Sequence, residues 1–411
     1  MDERSARTPI QPWEHPRVTE PHRQRLWTWP FVTLSVSRTA VGFTFYLLVP
    51  TIAAYAMRAY DVTEEEAGWA SSSFFFGALI SRALSGWALQ RHGSRAVVLT
   101  SLVGLLLASL GYLLPVGFSG LLVLRTLHGI AFGFAATALT SAAMILAPAT
   151  RRAEASGWFL VGVNLATGLA PFIALAITAS VFGPAGVFWL TAIFSVVALL
   201  VALPVARSIP GRPKETVATG RGIRGLIDPR ALPIAGVAGL CTLAYGAILT
   251  YLNLLATERG LLGAAGFYFL VYAGVTLVSR PLSGILQDRG NDDVVLIPLL
   301  VICAGGIALT ALATSPVALL IAAGLVGLGM GTTISAGQAM AVAKVGSGRI
   351  GLGLSTYWVI IEVGSATGPL LFGILARPLG LPNMFLTAAA FPLVALLLYV
   401  LVARRIPTVA E

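Results

Sequence analysis

Apolar windows about as long as a membrane-crossing helix recur twelve times along this chain of 411 residues. A bilayer core about 30 Å thick is crossed by roughly 20 apolar residues in an α-helix. With 57% hydrophobic and only 11% charged residues, the composition also lies outside the range of soluble domains. We therefore expect an all-α membrane protein with twelve transmembrane helices.

The predicted spans form two sets of six, separated by a weakly apolar segment rich in Arg, Gly and Pro. This division predicts a tail at 1–28, a six-helix bundle at 29–206, a linker at 207–231, a second six-helix bundle at 232–403 and a tail at 404–411. The first set of spans is Trp29 to Met57, Ala67 to Leu89, Ala96 to Leu114, Leu121 to Leu146, Ser156 to Val181 and Ala185 to Ala206. The second set is Leu232 to Ala256, Leu262 to Leu286, Val294 to Ala313, Pro316 to Val342, Ile350 to Leu375 and Met384 to Val402.

The two halves repeat each other at a constant spacing of 198 residues, so that Ser81-Arg82-Ala83-Leu84-Ser85-Gly86 recurs as Ser279-Arg280-Pro281-Leu282-Ser283-Gly284. The same spacing carries Gly129 onto Gly327, Gly133 onto Gly331 and Pro171 onto Pro369. Because six spans per half preserve the topology, the halves should be related by an axis along the membrane normal. A pseudo-symmetric pair of bundles with a cavity between them near the midplane is predicted.

Positive charge is concentrated in alternate loops, and only Arg58, Arg259 and Arg377 lie in loops on the other side. Lys and Arg in short loops are retained on the cytoplasmic side, so both termini should be cytoplasmic and the protein should lie in the inner (plasma) membrane. This bias and anionic lipid account for the net charge of +10, so no nucleic-acid partner is expected. Residues 1–25 lack the apolar segment of a signal peptide.

No metal or other cofactor is expected. The two cysteines, Cys241 and Cys303, lie in separate apolar spans without metal-ligand or disulfide spacing. The chain also lacks the glycine-rich loop that cradles nucleotide phosphates, so ATP hydrolysis should not be the energy source. A proton or substrate gradient is left as the driving force.

Two equivalent loops carry a recognisable pattern. Gly86, Arg91, Gly93 and Arg95 follow the second span, and Gly284, Asp288 and Arg289 follow the eighth. The pattern resembles the G-x-x-x-D-R-x-G-R loop of the major facilitator superfamily, and within it the twelve-span drug:proton antiporters, or arabinose-efflux-like permeases. Gln90 replaces the usual Asp in the first copy, and the second copy lacks the final Gly and Arg and has Asp292 and Asp293 in that segment. The resemblance implies that these residues gate the protein by latching the cytoplasmic ends of its halves.

Three further segments carry the resemblance. Arg125-x-x-His128-Gly129-x-x-x-Gly133 in span four is similar to the antiporter motif near the proton-coupling site, with His128 where Gln is more usual. Gly168-x-Ala170-Pro171 is a degenerate form of a Gly-Pro segment, and Glu362-Val-Gly364 followed by Gly368-Pro369 resembles a D-x-G segment. The resemblance implies a major facilitator fold, a functional monomer and a proton-coupling or binding role for Arg125, with a structural contact as the alternative.

Glu362 is the one acidic residue deep inside a predicted span. At ~1.5 Å per residue it lies about 20 Å from Arg349, near mid-bilayer. An intramembrane carboxylate is costly, so we expect it to couple protons, with a structural salt bridge to an arginine as the alternative. Its repeat equivalent is Asn164, so symmetry does not require the acid.

Arg38 has a similar depth in span one and could pair with Glu362. Arg82 and Arg280 are repeat-equivalent, which indicates a shared role in gating or packing, with snorkelling to the cytoplasmic face as the alternative.

A mostly apolar pocket with a few polar groups is typical of a small-molecule site. The predicted substrate-binding residues are Arg38, His128, Asn164, Tyr245, Asn253, Gln338, Tyr357 and Trp358. For each aromatic residue, packing is the alternative.

The first hypothesis is a proton-coupled antiporter that exports a drug or metabolite by alternating access and catalyses no covalent reaction. Substrate and proton would compete near Glu362 and shift the population between two states. The second is an uptake or exchange carrier for an organic anion such as a carboxylate, because Arg38, Arg125 and Arg280 outnumber the one carboxylate. A third, a non-transporting membrane receptor, is disfavoured by the gating loops.

Overall fold

A computed structural model of the chain describes residues 25–148, 152–209, 227–288, 292–345 and 350–407. These ranges contain helices and turns and no β-strand. The helices are α1 (Trp29–Tyr60), α2 (Glu64–Gly111), α3 (Gly117–Leu146), α4 (Arg152–Thr178), α5 (Gly183–Ala202), α6 (Leu232–Glu258), α7 (Leu262–Asp288), α8 (Asp292–Leu312), α9 (Pro316–Val326), α10 (Thr332–Val345) and α11 (Ile350–Leu401). A π-helical turn, Gly327–Gly331, joins α9 to α10 in one continuous crossing, Pro316–Val345.

Two helices are too long for one crossing. With 48 residues in α2 and 52 in α11, each would extend roughly 70–80 Å, against about 30 Å of hydrocarbon. Each is broken at a glycine, Gly93 (φ 79°, ψ 157°) and Gly380 (φ 72°, ψ 158°), whose positive φ other residues seldom adopt. The breaks divide α2 into arms 64–92 and 94–111, and α11 into arms 350–379 and 381–401. The described ranges contain ten helices long and apolar enough to cross a membrane. Dividing α2 and α11 at their breaks gives twelve helical segments, the number of spans expected from the sequence.

Local sequence explains where several helices begin. Thr63 and Glu66 form a capping box at the start of α2, in which the Thr63 amide donates to Glu66 Oε2 at 2.9 Å. Ser315 caps α9 by accepting from the Ala318 amide at 3.3 Å, and Pro316 occupies the first turn. The predicted spans agree with these helices to within a few residues. The domain division stays a prediction, because much of the linker and both tails lie outside the described residues.

The sequence repeat is also a repeat of packing. A Cβ added to Gly129 in α3 would collide with the Phe74 carbonyl oxygen of α2. At the repeat-equivalent Gly327, a Cβ would lie 2.6 Å from the carbonyl oxygen of Tyr272, the equivalent of Phe74. Small residues allow backbones to approach this closely in membrane helices. These glycines therefore serve the same close helix contact in each half.

The two halves meet at one end of the bundle. We call the face where α1 begins and α11 ends the terminal face, and the face where α2 begins the distal face. Near the distal face, the Tyr251 hydroxyl of α6 lies 3.2 Å from the Glu64 carbonyl oxygen of α2 and 2.8 Å from the Pro369 carbonyl oxygen of α11. Gly68 admits this contact, because its Cβ would stand 2.7 Å from the Pro369 oxygen. The halves are thus closed against each other on the distal side.

Candidate functional site

An ion pair joins the two halves in the interior of the bundle, between the terminal face and the distal face. Arg82, in the first arm of α2, bonds through Nη2 to Glu362 Oε1 in the first arm of α11. Glu362 lies 12 residues after Ile350, which places it about 18 Å from the terminal end of α11. The Arg82 side chain is 35% exposed and that of Glu362 is 13% exposed. Glu362 Oε2 is buried without a hydrogen-bond partner, so the carboxylate is incompletely bonded.

Arg82 also contacts an aromatic side chain of the second half. Its guanidinium carbon lies 5.8 Å from the ring centroid of Trp358, one turn before Glu362 on α11. A cation over an indole face is attracted by the ring quadrupole. Residues four apart lie on one helix face, so Trp358 and Glu362 contact the same guanidinium from neighbouring turns.

Arg38 does not pair with Glu362, although the sequence allowed it. Its guanidinium lies 5.7 Å from the Phe132 ring centroid, and its Nη1 is buried without a hydrogen-bond partner. Arg38 and Arg82 are within electrostatic range of each other. Depth pointed to Arg38, whereas the structure pairs Glu362 with Arg82, because the partner depends on helix rotation and on how the halves meet.

The repeat-equivalent residues make an equivalent contact. Arg280 of α7 donates from Nη1 to Asn164 Oδ1 of α4 at 2.9 Å, and from Nε to the Gly331 carbonyl at 3.3 Å. The spacing that relates Arg82 to Arg280 also relates Asn164 to Glu362. Each half therefore sends one arginine to the other half, where one meets a carboxylate and the other an amide.

Tyrosines lie beside these arginines. Tyr245 stacks on Tyr272 with centroids 5.1 Å apart, and the Tyr245 hydroxyl is buried without a partner. Tyr272 is within electrostatic range of Arg280, and Tyr46 is within range of Arg38 and Tyr272. The structure thus brings Tyr245 to the interface, together with Tyr46 and Tyr272, which sequence reasoning missed because tyrosines in apolar helices carry no distinctive spacing.

The other predicted binding residues differ in their surroundings. Tyr357 is fully buried, and its hydroxyl donates to the Ile334 carbonyl at 2.7 Å within the second half, which is a packing contact. Asn253 is buried near the distal face with Oδ1 unpartnered. Gln338 is half-buried on α10. A substrate-binding role for these three residues stays a prediction.

Arg125 and His128 lie inside the first half. Both are fully buried. Arg125 Nε donates to the Ala70 carbonyl at 3.1 Å, and its guanidinium lies 4.8 Å from the Phe74 ring centroid. His128 Nδ1 lies 3.0 Å from the Tyr112 hydroxyl. These contacts are with α2 rather than with Glu362, so proton coupling by Arg125 would have to act through the first half.

The predicted gating loops are only partly described. Gly93 forms the break in α2, and Gly86 is exposed with open space around it. The Arg91 guanidinium lies 5.9 Å from the Trp87 ring centroid of its own arm, and Arg95 is exposed. Within the described ranges neither arginine forms an ion pair with the second half. Gly284 and Asp288 belong to α7, whereas Arg289 lies outside the described residues.

The second loop uses its substituted acids within its own half. Asp293 accepts from the Tyr399 hydroxyl at 2.6 Å and lies 3.7 Å from Arg404. Lys344 Nζ donates to the Ile406 carbonyl at 2.7 Å. These contacts hold residues 399–406 against the terminal face. Asp293, the repeat equivalent of Arg95, therefore has structural partners in its own half.

A cavity of about 670 Å³ lies elsewhere, between α3 and α2, where it is lined by the end of the first arm of α2 and by the second arm. Its lining is mostly apolar, includes His92, Thr100 and Ser101, and contains none of the predicted binding residues. It belongs to the first half alone, so it does not mark the interface site.

Comparison with known proteins places this geometry in a family. The model of the Major Facilitator Superfamily matches residues 34–313 and 262–411. A chloramphenicol resistance protein of Streptomyces lividans is 29% identical over 366 residues, covering 83% of this chain and 87% of the relative. Multidrug resistance protein MdtG of Erwinia billingiae is 24% identical over 380 residues, covering 89% and 92%.

The fold also matches solved structures. A POT family transporter in complex with a thioalcohol-conjugated peptide superposes with a TM-score of 0.78 at 15% identity, covering 92% of this chain and 96% of that chain. At this identity the likeness concerns the fold.

Proposed function

Because the chain belongs to the Major Facilitator Superfamily, we propose that it exports a small organic solute in exchange for protons, by alternating access. The observation that carries the proposal is the ion pair between Arg82 and Glu362, which joins the two halves at mid-depth. Membrane transport itself follows from the family; the direction, the coupling ion and the mechanism are the proposed steps.

Protonation of Glu362 would remove the charge that attracts Arg82. An ion pair in a medium of low dielectric constant is strong while both charges exist, and breaking it leaves an uncompensated charge. Glu362 retains 13% exposure, and its unpartnered Oε2 is free to hold a proton. A proton on Glu362 would therefore loosen one contact between the halves, and a bound solute would change the same contact.

Alternating access requires contacts that open on one side while others close. Tyr251 closes the distal side. Arg82 keeps 35% exposure although the distal side is sealed, which supports an approach from the terminal face. This arrangement fits a state in which solute enters from the terminal face, and the opposite state would separate Tyr251 from Glu64.

The direction and the sidedness follow from separate arguments. The positive loops favour a terminal face on the cytoplasmic side of the plasma membrane, with both termini in the cytoplasm. Relatives named for chloramphenicol and multidrug resistance favour export from that side. Both arginines and their partners belong to one chain, so a monomer contains the complete site.

The test uses purified protein reconstituted in vesicles of known orientation, with an imposed pH gradient. Chloramphenicol and a panel of cationic, neutral and anionic solutes serve as probes. Solute should cross the membrane in the direction opposite to the flow of protons. In a separate measurement, each transported solute should release protons from the solubilised protein. Both signals should disappear in Glu362→Gln. Glu65→Gln, which changes an exposed acid at the distal face, is the matched control and should behave as wild type.

Transport in the same direction as the protons would contradict exchange. Proton release that persists in Glu362→Gln would show that another group carries the proton. Uptake toward the terminal face, driven by the solute's own gradient, would favour the carrier hypothesis over export.

A further inference from the structure

We infer that the transported solute carries an anionic group, such as a carboxylate, and that this group binds Arg280 at its contact with Asn164. The inference rests on the proposed transport function and adds the charge class of the substrate and the position of its charged group. The contact in question is the hydrogen bond of 2.9 Å from Arg280 Nη1 to Asn164 Oδ1.

The repeat itself indicates what is missing at this position. Arg82 and Arg280 are equivalent, and each reaches across to an equivalent residue of the opposite half. Arg82 meets the carboxylate of Glu362, whereas Arg280 meets a neutral amide. A guanidinium offers five N–H donors in a fork that matches a carboxylate, and an amide oxygen satisfies only part of it. The second site therefore has the cation of an ion pair without its protein anion.

The net charge of the interface supports the same conclusion. Arg38, Arg82 and Arg280 lie at or near the contact between the halves, and Glu362 compensates only Arg82. Arg38 Nη1 is buried without a partner. Unpaired positive charge in a low-dielectric region is costly, and an entering anion lowers this cost while a cation raises it.

The surroundings of Arg280 suit an organic anion better than an inorganic one. Arg280 and Asn164 are only half-buried, so a ligand can reach them. Tyr272 is within electrostatic range of Arg280 and stacks on Tyr245, whose hydroxyl is unpartnered. Both rings are buried in this structure, so an apolar or aromatic body would lie against them once the halves separate, while its acid group contacts Arg280.

The test measures binding to the full-length purified protein by thermal stabilisation. Probes are sets of matched size and different charge: indole-3-acetate with indole-3-acetamide and tryptamine, and benzoate with benzamide and benzylamine. We expect the acids to bind wild type at least tenfold more tightly than their amides, and the amines to bind more weakly still. Asn164→Asp should abolish the preference for acids, because the new carboxylate pairs with Arg280 as Glu362 pairs with Arg82.

Two variants complete the design. Arg280→Gln should also lose the preference, but it removes a bond to Gly331 and its folding needs a check, whereas Asn164→Asp supplies a partner for Arg280. Asn164→Ala keeps the cation and should keep the preference. The inference is overturned if neither acid binds wild type more tightly than its amide, or if the preference survives in Asn164→Asp.

Thermal stabilisation and ligand-induced proton release, measured with the same probes, separate this inference from the proposed function. Preferential acid binding without ligand-induced proton release would refute proton exchange and leave the anion site intact. Proton release induced only by amines or amides would support exchange and overturn the anion site.

Discussion

Arg82 and Glu362 form an ion pair across the two halves, and the repeat-related residues Arg280 and Asn164 form an uncharged hydrogen bond in the equivalent place. The duplicated sequence has an arginine at both equivalent positions and an acid at only one of the two partner positions. This difference makes the two cross-half contacts chemically distinct, and the first prediction measures the charged one.

Replacing Arg82 or Glu362 by Gln should lower the melting temperature, because each change leaves the other charge unpaired. The double variant should lose less than the sum of the two. Since Arg82 is 35% exposed, we expect a coupling free energy of about 0.5–1 kcal/mol, well below that of a fully buried pair. Thermal unfolding of the purified proteins in one detergent measures it. Additive effects of the two changes would mean that the ion pair contributes no stability.

Tyr251→Phe should open the distal side more often, because it removes the hydroxyl that bonds to Glu64 and Pro369. A hydrogen bond contributes about 1 kcal/mol, so the open population should rise about fivefold. The measurement is the labelling of Asn253→Cys by a membrane-impermeant thiol reagent, in a background with Cys241 and Cys303 replaced by Ala.

The matched control for this experiment is Tyr268→Phe. Its hydroxyl is bonded to Thr310 within the second half, at 3.1 Å. The loss of this bond should leave the labelling rate unchanged. Equal labelling in both variants would mean that Tyr251 does not hold the halves together.

Gly129→Ala and Gly327→Ala should each destabilise the protein, because the added methyl meets a backbone carbonyl of the adjacent helix. Overpacking of this kind costs about 1–3 kcal/mol. Gly274→Ala is the control, since its Cβ would meet nothing within 4 Å, and Ala is the better helix former by about 0.5–1 kcal/mol. The two core variants should melt below wild type and the control at or above it. Equal melting temperatures for all three would contradict the close packing.

Asp293→Asn should loosen the end of the chain, because Asp293 bonds to Tyr399 and lies near Arg404. These groups are partly exposed, so a loss of roughly 0.5–1 kcal/mol is expected, which corresponds to about threefold faster digestion by carboxypeptidase. Mass spectrometry of the purified protein follows the digestion. Glu65→Gln serves as the control, and unchanged digestion in Asp293→Asn would assign the anchoring to Lys344 and Ile406.

The sequence was sufficient for the long apolar helices and the internal repeat. The 198-residue spacing also related Arg82 to Arg280 and Asn164 to Glu362, so the equivalence of the two contacts was present in the sequence. Hydrophobic length and internal similarity are local properties of the chain, and for this reason they can be read without knowing how the helices pack.

The partners of the charged residues could not be derived in the same way. Arg38 and Arg82 both reach the level of Glu362, and only the rotation of each helix selects Arg82. Arg125 carries a motif associated with coupling, yet it faces Ala70 and Phe74 within the first half. No pattern in the sequence predicts the contact of Tyr251 with the other half, because its hydroxyl bonds to backbone carbonyls of two helices that are distant in the sequence.

The difference between Glu362 and Asn164 has a mechanical consequence. Adding a proton to the Glu362 carboxylate would weaken its attraction for Arg82 on one side of the axis that relates the two halves. The contact between Arg280 and Asn164 on the other side would keep its strength. An unbalanced loss of force produces a torque, so the first displacement should be a tilt that pivots on the Arg280 flank. The intermediate on this route would be asymmetric, although the two halves have related sequences.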